Sequence, residues 1–102
     1  METYDSSSVE LISVNVSAAG KTEILYRPML DSLYYCPGAR IRHEADRQKL
    51  SLVRCKINDT CTVDVPAENL GQGQWKLTLA EAPESVDLVF RDREIPLPSD
   101  NK

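Results

Sequence analysis

The residues of this chain with chemistry beyond simple charge are Cys36, His43, Cys55 and Cys61, the only cysteines and the only histidine among 102 residues. Together they could be written as a Cys3His zinc set. However, no Cys-x2-4-Cys knuckle is present, and the four residues fall in different segments. A sandwich core is also a poor cage for a charged ion. No metal and no cofactor is therefore expected. Cys36 stands before Pro37-Gly38 and is the thiol expected to be most reachable. Arg40 is its nearest cation and His43 its only candidate base, with no third residue to orient that base. A structural cysteine beside Tyr34-Tyr35 is the simpler reading. There is no Gly-rich phosphate loop, no serine-nucleophile motif and no linked carboxylate pair, so an enzyme is not expected.

Cys55 and Cys61 flank an Asn58-Asp59-Thr60 turn signal between two alternating apolar runs, a pattern that predicts a β-hairpin. Side chains on one face of a strand share parity. Setting Val53, Cys55 and Ile57 on the face of Cys61, Val63 and Val65 avoids pressing Arg54 and Lys56 into apolar neighbours. With Ile57-Asn58-Asp59 as the loop, Cys55 stands opposite Cys61. Buried thiols packing as small apolar residues are the preferred reading of the pair, with a disulfide second and metal or redox chemistry third. Leu50 and Leu52 are out of phase with Val53 and Cys55. That predicts either a bulge near Leu52-Val53, the preferred reading, or a strand covered on both faces.

The length suits one domain with a single modest core. The net charge of −4 conceals an asymmetry: residues 40–56 hold six basic and two acidic side chains, the rest six basic and fourteen acidic. A basic zone on an acidic body disfavours nucleic acid and suits an acidic protein surface or a small anionic ligand. No apolar run reaches membrane-spanning length. The first residues lack the features of a signal peptide, which reads as cytoplasmic, or as extracytoplasmic if a signal peptide has been removed.

Residues 1–8 read as a flexible lead-in, 9–98 as the folded domain and 99–102 as a tail. Within the domain, strand candidates run over Val9 to Val16, Thr22 to Arg27, Leu33 to Cys36, Ala39 to His43, Lys49 to Ile57, Gln74 to Leu79 and Val86 to Phe90. A helical turn is expected over Pro66 to Leu70. Pro96 and Pro98 confine Ile95 to Pro98 to an edge or tail. Short strands about every ten residues without an amphipathic helix predict an all-β fold, a single antiparallel β-sandwich of seven or eight short strands.

Leu70, the corner Gly71-Gln72-Gly73 and the alternating strand opened by Trp75 resemble the E–F corner of immunoglobulin-like and fibronectin-type-III-like domains. Trp75 stands where those domains often carry a corner tyrosine. The resemblance spans about a tenth of the chain and implies an immunoglobulin-like sandwich. It departs from antibody domains in lacking cysteines spaced for an inter-sheet disulfide.

The function expected is a non-catalytic protein-binding or accessory module whose contact face is Arg40, Arg42, Arg54 and Lys56. A thiol-dependent redox or metal-binding protein using its three cysteines is the first alternative. A structural subunit assembling through the edge at Ile95 to Pro98 is the second.

Overall fold

The computed structural model describes residues 2–29, 33–80 and 83–97. Eleven strands occur among them: β1 (Glu2–Thr3), β2 (Val9–Val16), β3 (Thr22–Pro28), β4 (Tyr34–Tyr35), β5 (Gly38–Glu44), β6 (Arg47–Lys56), β7 (Val65–Pro66), β8 (Glu68–Gly71), β9 (Gln74–Leu79), β10 (Val86–Val89) and β11 (Glu94–Pro96). They form two sheets. One runs β2-β3-β9-β8; the other runs β11-β10-β6-β5-β7, with β1 and β4 also pairing β6. The chain is all-β, as the strand rhythm predicts. Buried apolar residues from both sheets, including Val14, Ile24, Tyr26, Leu50, Leu77 and Leu88, form one cluster between them.

Local sequence explains the hairpins. Gly20, at φ +81°, closes the turn between β2 and β3, where any other L-residue would be strained. Between β8 and β9, Gly71 pairs with Gln74, leaving Gln72 and Gly73 as a two-residue loop. Both have positive φ, +55° and +78°, the signature of a type I′ turn. This replaces the expected inter-sheet corner: β8 and β9 pair within one sheet. It also replaces the expected helical turn, since Pro66 lies in β7 and Glu68 to Leu70 in β8.

Long-range pairing departs from the expected all-antiparallel arrangement. β10 lies parallel to β6, with Val86 beside Gln48 and Leu88 beside Leu50. A parallel pair needs a long crossover, and here the chain passes through β8 and β9 of the other sheet before it returns. No local residue pattern records that choice.

β6 is the hub of the larger sheet. Its register with β5 holds without a shift from Glu44↔Arg47 to Ala39↔Leu52, and its register with β1 continues through Thr3↔Val53. Leu50 and Leu52 belong to the inter-sheet cluster, whereas Val53 and Cys55, also buried, do not. Lys49, Ser51 and Val53 line one depression on the outer face. The strand is therefore covered on both faces, and the bulge expected at Leu52-Val53 is not there. Register shifts occur instead in the smaller sheet, in β2 between Leu11 and Ser13, where Ile12 is left exposed at the sheet edge, and in β8 between Asn69 and Gly71.

The predicted hairpin between β6 and residues 61–65 does not form. Both edges of β6 are taken, by β4 and β5 on one side and by β1 and β10 on the other. The Cys61 segment runs along the free edge of β5 instead. The Asp64 N–H donates to the Ala39 carbonyl at 2.9 Å, β7 pairs with Gly38 and Ala39, and the Ala67 N–H reaches the Pro37 carbonyl at 2.9 Å. Gly38 permits this approach, since a Cβ there would collide with the Val65 carbonyl oxygen.

Within the lead-in, Tyr4 is buried and Thr3 pairs with Val53. Arg91 donates two hydrogen bonds of 2.8 Å to the Asp5 carboxylate, and the Ser6 N–H and Oγ donate to Asp92 at 2.8 and 2.7 Å. At the other end β11 forms the edge of the larger sheet, and Leu97 is buried after it; Pro98 and residues 99–102 lie outside the described residues.

Candidate functional site on the outer face of β5 and β6

The outer face of the larger sheet carries the concentration of charge. Cross-strand register puts Arg40 beside Ser51 and Arg42 beside Lys49. These residues, with Thr3, Ile41 and Val53, line a shallow groove of about 370 Å³. The cations gather at one end, and the uncharged Ser51, Val53 and Thr3 continue the groove along β6 past Arg40.

The four residues read as one basic contact face do not share a face. Arg40 and Arg42 stand with the odd-numbered residues of β6. Arg54 and Lys56 are even-numbered, on the side of Leu50 and Leu52, where β6 runs past the end of the core. Arg54 is half-buried there, its guanidinium carbon 3.5 Å from the Tyr34 ring centroid. Such stacking spreads the cation over the ring and stabilises by about 0.5–1 kcal/mol at exposed sites. The expected assignment placed Val53, Cys55 and Ile57 on the core face. Leu50 and Leu52 take that face, and strand parity does the rest.

Folding also brings acids to the basic zone. Arg40 Nε lies 3.6 Å from Asp64, and Arg42 Nε lies 2.8 Å from Glu44, with all four side chains about half exposed. Pairs this exposed contribute roughly 0–1 kcal/mol and exchange readily with other carboxylates. Lys49 differs. Its ammonium donates to Asp87 at 2.8 Å and to Glu94 at 2.9 Å, with its side chain 14% exposed. Arg47 completes the clamp with a two-point contact to Asp87, Nε at 2.8 Å and Nη2 at 2.7 Å. Hydrogen bonds from Arg47 and then Lys49 hold the Asp87 carboxyl far below the usual carboxylate range. Asp87 is the anchor of this end of the groove.

The cysteines separate into two environments. Cys55 and Cys61 are joined by a disulfide with a Cα–Cα distance of 6.2 Å, tying the end of β6 to the segment that covers the β5 edge. Cys36, expected as the reachable thiol, is fully buried in the inter-sheet cluster. Its Sγ lies 3.3 Å from the Tyr26 hydroxyl and 3.4 Å from the Gly38 carbonyl. Burial pushes both the thiol and the Tyr26 phenol up from their ordinary ranges. His43 is exposed near the far end of β5, and no metal-holding cluster of His, Cys, Asp or Glu occurs among the described residues. No helix among them is long and apolar enough to cross a membrane.

Lys49, Ser51 and Thr3 were missed as groove residues because the open phase of β6 around Leu50 and Leu52 gave the first two no face, and Thr3 fell in the lead-in. Strict parity along an unbroken β6 would have placed Lys49 and Ser51 together. No family model, curated protein or solved structure matches the chain.

Proposed function

We propose that the chain is a non-catalytic binding or accessory module that receives an acidic protein segment in the groove of β5 and β6. The observation that carries this reading is the pairing of Arg40 and Arg42 at alternate positions of one exposed strand face. The exposed ion pairs that Arg42 makes with Glu44 and Arg40 makes with Asp64 can give way to a partner carboxylate at little cost, while Asp64 itself stays fixed by the Ile41 N–H at 2.8 Å. Lys49 stays locked by Asp87 and Glu94 and serves as a fixed wall. Arg54 and Lys56 fall outside the contact.

An immunoglobulin-like sandwich is the fold reading we attach to it. In its support, the sheet order β2-β3-β9-β8 reproduces the A-B-E-D sheet of that architecture when these strands are taken as A, B, E and D. The parallel β6–β10 pair is a departure from it. Against the thiol or metal alternative stands the separation of Cys36, inside the core, from the bridged pair on the outer face.

The test is fluorescence anisotropy with a labelled eight-residue Asp/Glu peptide. The double variant Arg40→Glu/Arg42→Glu is expected to weaken binding about tenfold, or ~1.4 kcal/mol, and Arg54→Glu/Lys56→Glu to leave it nearly unchanged. The reverse ranking, or no effect of the first pair, overturns the proposal.

A further inference from the structure

The two sheets part along one seam, where β2 is the edge of the smaller sheet and the three-residue β11 the edge of the larger. A pocket of about 320 Å³ opens there. Its inner surface is formed by Ile24 and Tyr26 of β3, Leu52 of β6 and Leu88 of β10, all part of the apolar cluster. Leu11 and Phe90 make its walls, and Ser7 and Arg93 stand at its mouth. The size falls at the lower end of the range for small-molecule sites, and so does the plan: an apolar cavity with few polar groups to fix orientation.

The polar groups at the mouth are unequal. Asp92 is committed to the N–H and Oγ of Ser6 at 2.8 and 2.7 Å, and Arg91 to Asp5. Arg93 is exposed on the β10–β11 turn, where its carbonyl accepts from the Phe90 N–H at 2.7 Å. No ion pair of its guanidinium within 4.0 Å occurs among the described residues, although its charge helps to hold the neighbouring Asp92 carboxyl low. The fork-shaped guanidinium matches a carboxylate with two parallel hydrogen bonds.

We propose that this pocket binds a medium-chain carboxylate, the alkyl chain between the sheets and the headgroup on Arg93. At about 30 Å³ for each water-sized heavy atom, the volume accommodates roughly ten, the size of octanoate. Burial of each CH2 tightens binding about fourfold, so affinity must climb with chain length and stop when the pocket is full. The site is separate from the outer groove, on the other face of β6, and its outcome is independent of the acidic-peptide reading.

The test uses the full chain, titrated with butanoate, hexanoate, octanoate, decanoate and 1-octanol by calorimetry. Expected are a rise of about fourfold per CH2 up to octanoate, a plateau at decanoate, and tighter binding of octanoate than of octanol. Arg93→Gln, a change at an exposed turn position, should erase the preference for carboxylate while octanol affinity stays the same. Absence of saturable binding overturns the proposal. So does an affinity that keeps rising past octanoate at the same slope, as for adsorption to the surface, or a carboxylate preference that survives Arg93→Gln.

Discussion

Leu52 and Val53 are neighbours on one unbroken strand and both are buried, at 4% and 0% exposure, on opposite faces of the sheet. Leu52 faces the other sheet; Val53 faces the outer groove between Thr3 and Ser51. This relationship decides which charges act together. It sends Arg54 to the side of Leu52 and Lys56 after it, and leaves Arg40 and Arg42 with Lys49 on the outer face.

The cysteine arrangement predicts thiol counts. Titration of native protein should find no reactive thiol, because Cys36 is buried and its companions are bridged. Denatured, non-reduced protein should show one, and reduced protein three. Three thiols without reductant would contradict the bridge. Closing so short a loop stabilises by about 2 kcal/mol on the chain-entropy model. Cys55→Ala/Cys61→Ala should therefore still fold, melting roughly 8–16 °C lower.

Asp87 predicts an acid limb. Its carboxyl is held well below the ordinary range by Arg47 and Lys49. A depressed native pKa contributes stability that is complete above the unfolded value, about 3.9, and is lost as pH falls through the native one. Thermal melts of Asp87→Asn and the parent should differ by a constant amount above about pH 5, and the gap should start to close only below about pH 4, narrowing steadily as the pH falls further toward the depressed native value. A gap independent of pH would show that the clamp does not involve the ionised carboxylate.

Two backbone positions on β5 and its turn predict opposite effects of one methyl group. Gly38→Ala places a Cβ against the Val65 carbonyl oxygen, which should cost about 1–3 kcal/mol as β7 is pushed from the β5 edge. Ala45, between Glu44 and Arg47, holds φ at +53°; Ala45→Gly relieves that and should raise stability by about 0.5–1 kcal/mol. Urea unfolding midpoints check both signs.

Strand existence was legible wherever apolar residues alternate over a short run. β2 spans Val9–Val16 and β9 spans Gln74–Leu79, the bounds expected from alternation alone. Partnership was not legible. β6 carries Leu50 and Leu52 for one cover and Val53 and Cys55 for another, and a strand buried on both faces has no period-two signature to read. That ambiguity propagated to the hairpin and to the basic face. The proximity of Cys55 and Cys61 needed only a short loop, so their neighbourhood was readable though the pairing of their strands was not. Asp64, Asp87 and Glu94 reach the basic zone through tertiary contacts, and nothing local announces them.

The most direct test of the outer-face claim is a map of the contact by amide chemical shifts, with isotope-labelled protein titrated by the acidic octapeptide. The groove reading predicts shifts centred on Arg40, Arg42, Lys49 and Ser51, diminishing with added salt as exposed charge contacts are screened. Shifts centred on Arg54 and Lys56, with the β5 amides unmoved, would contradict it.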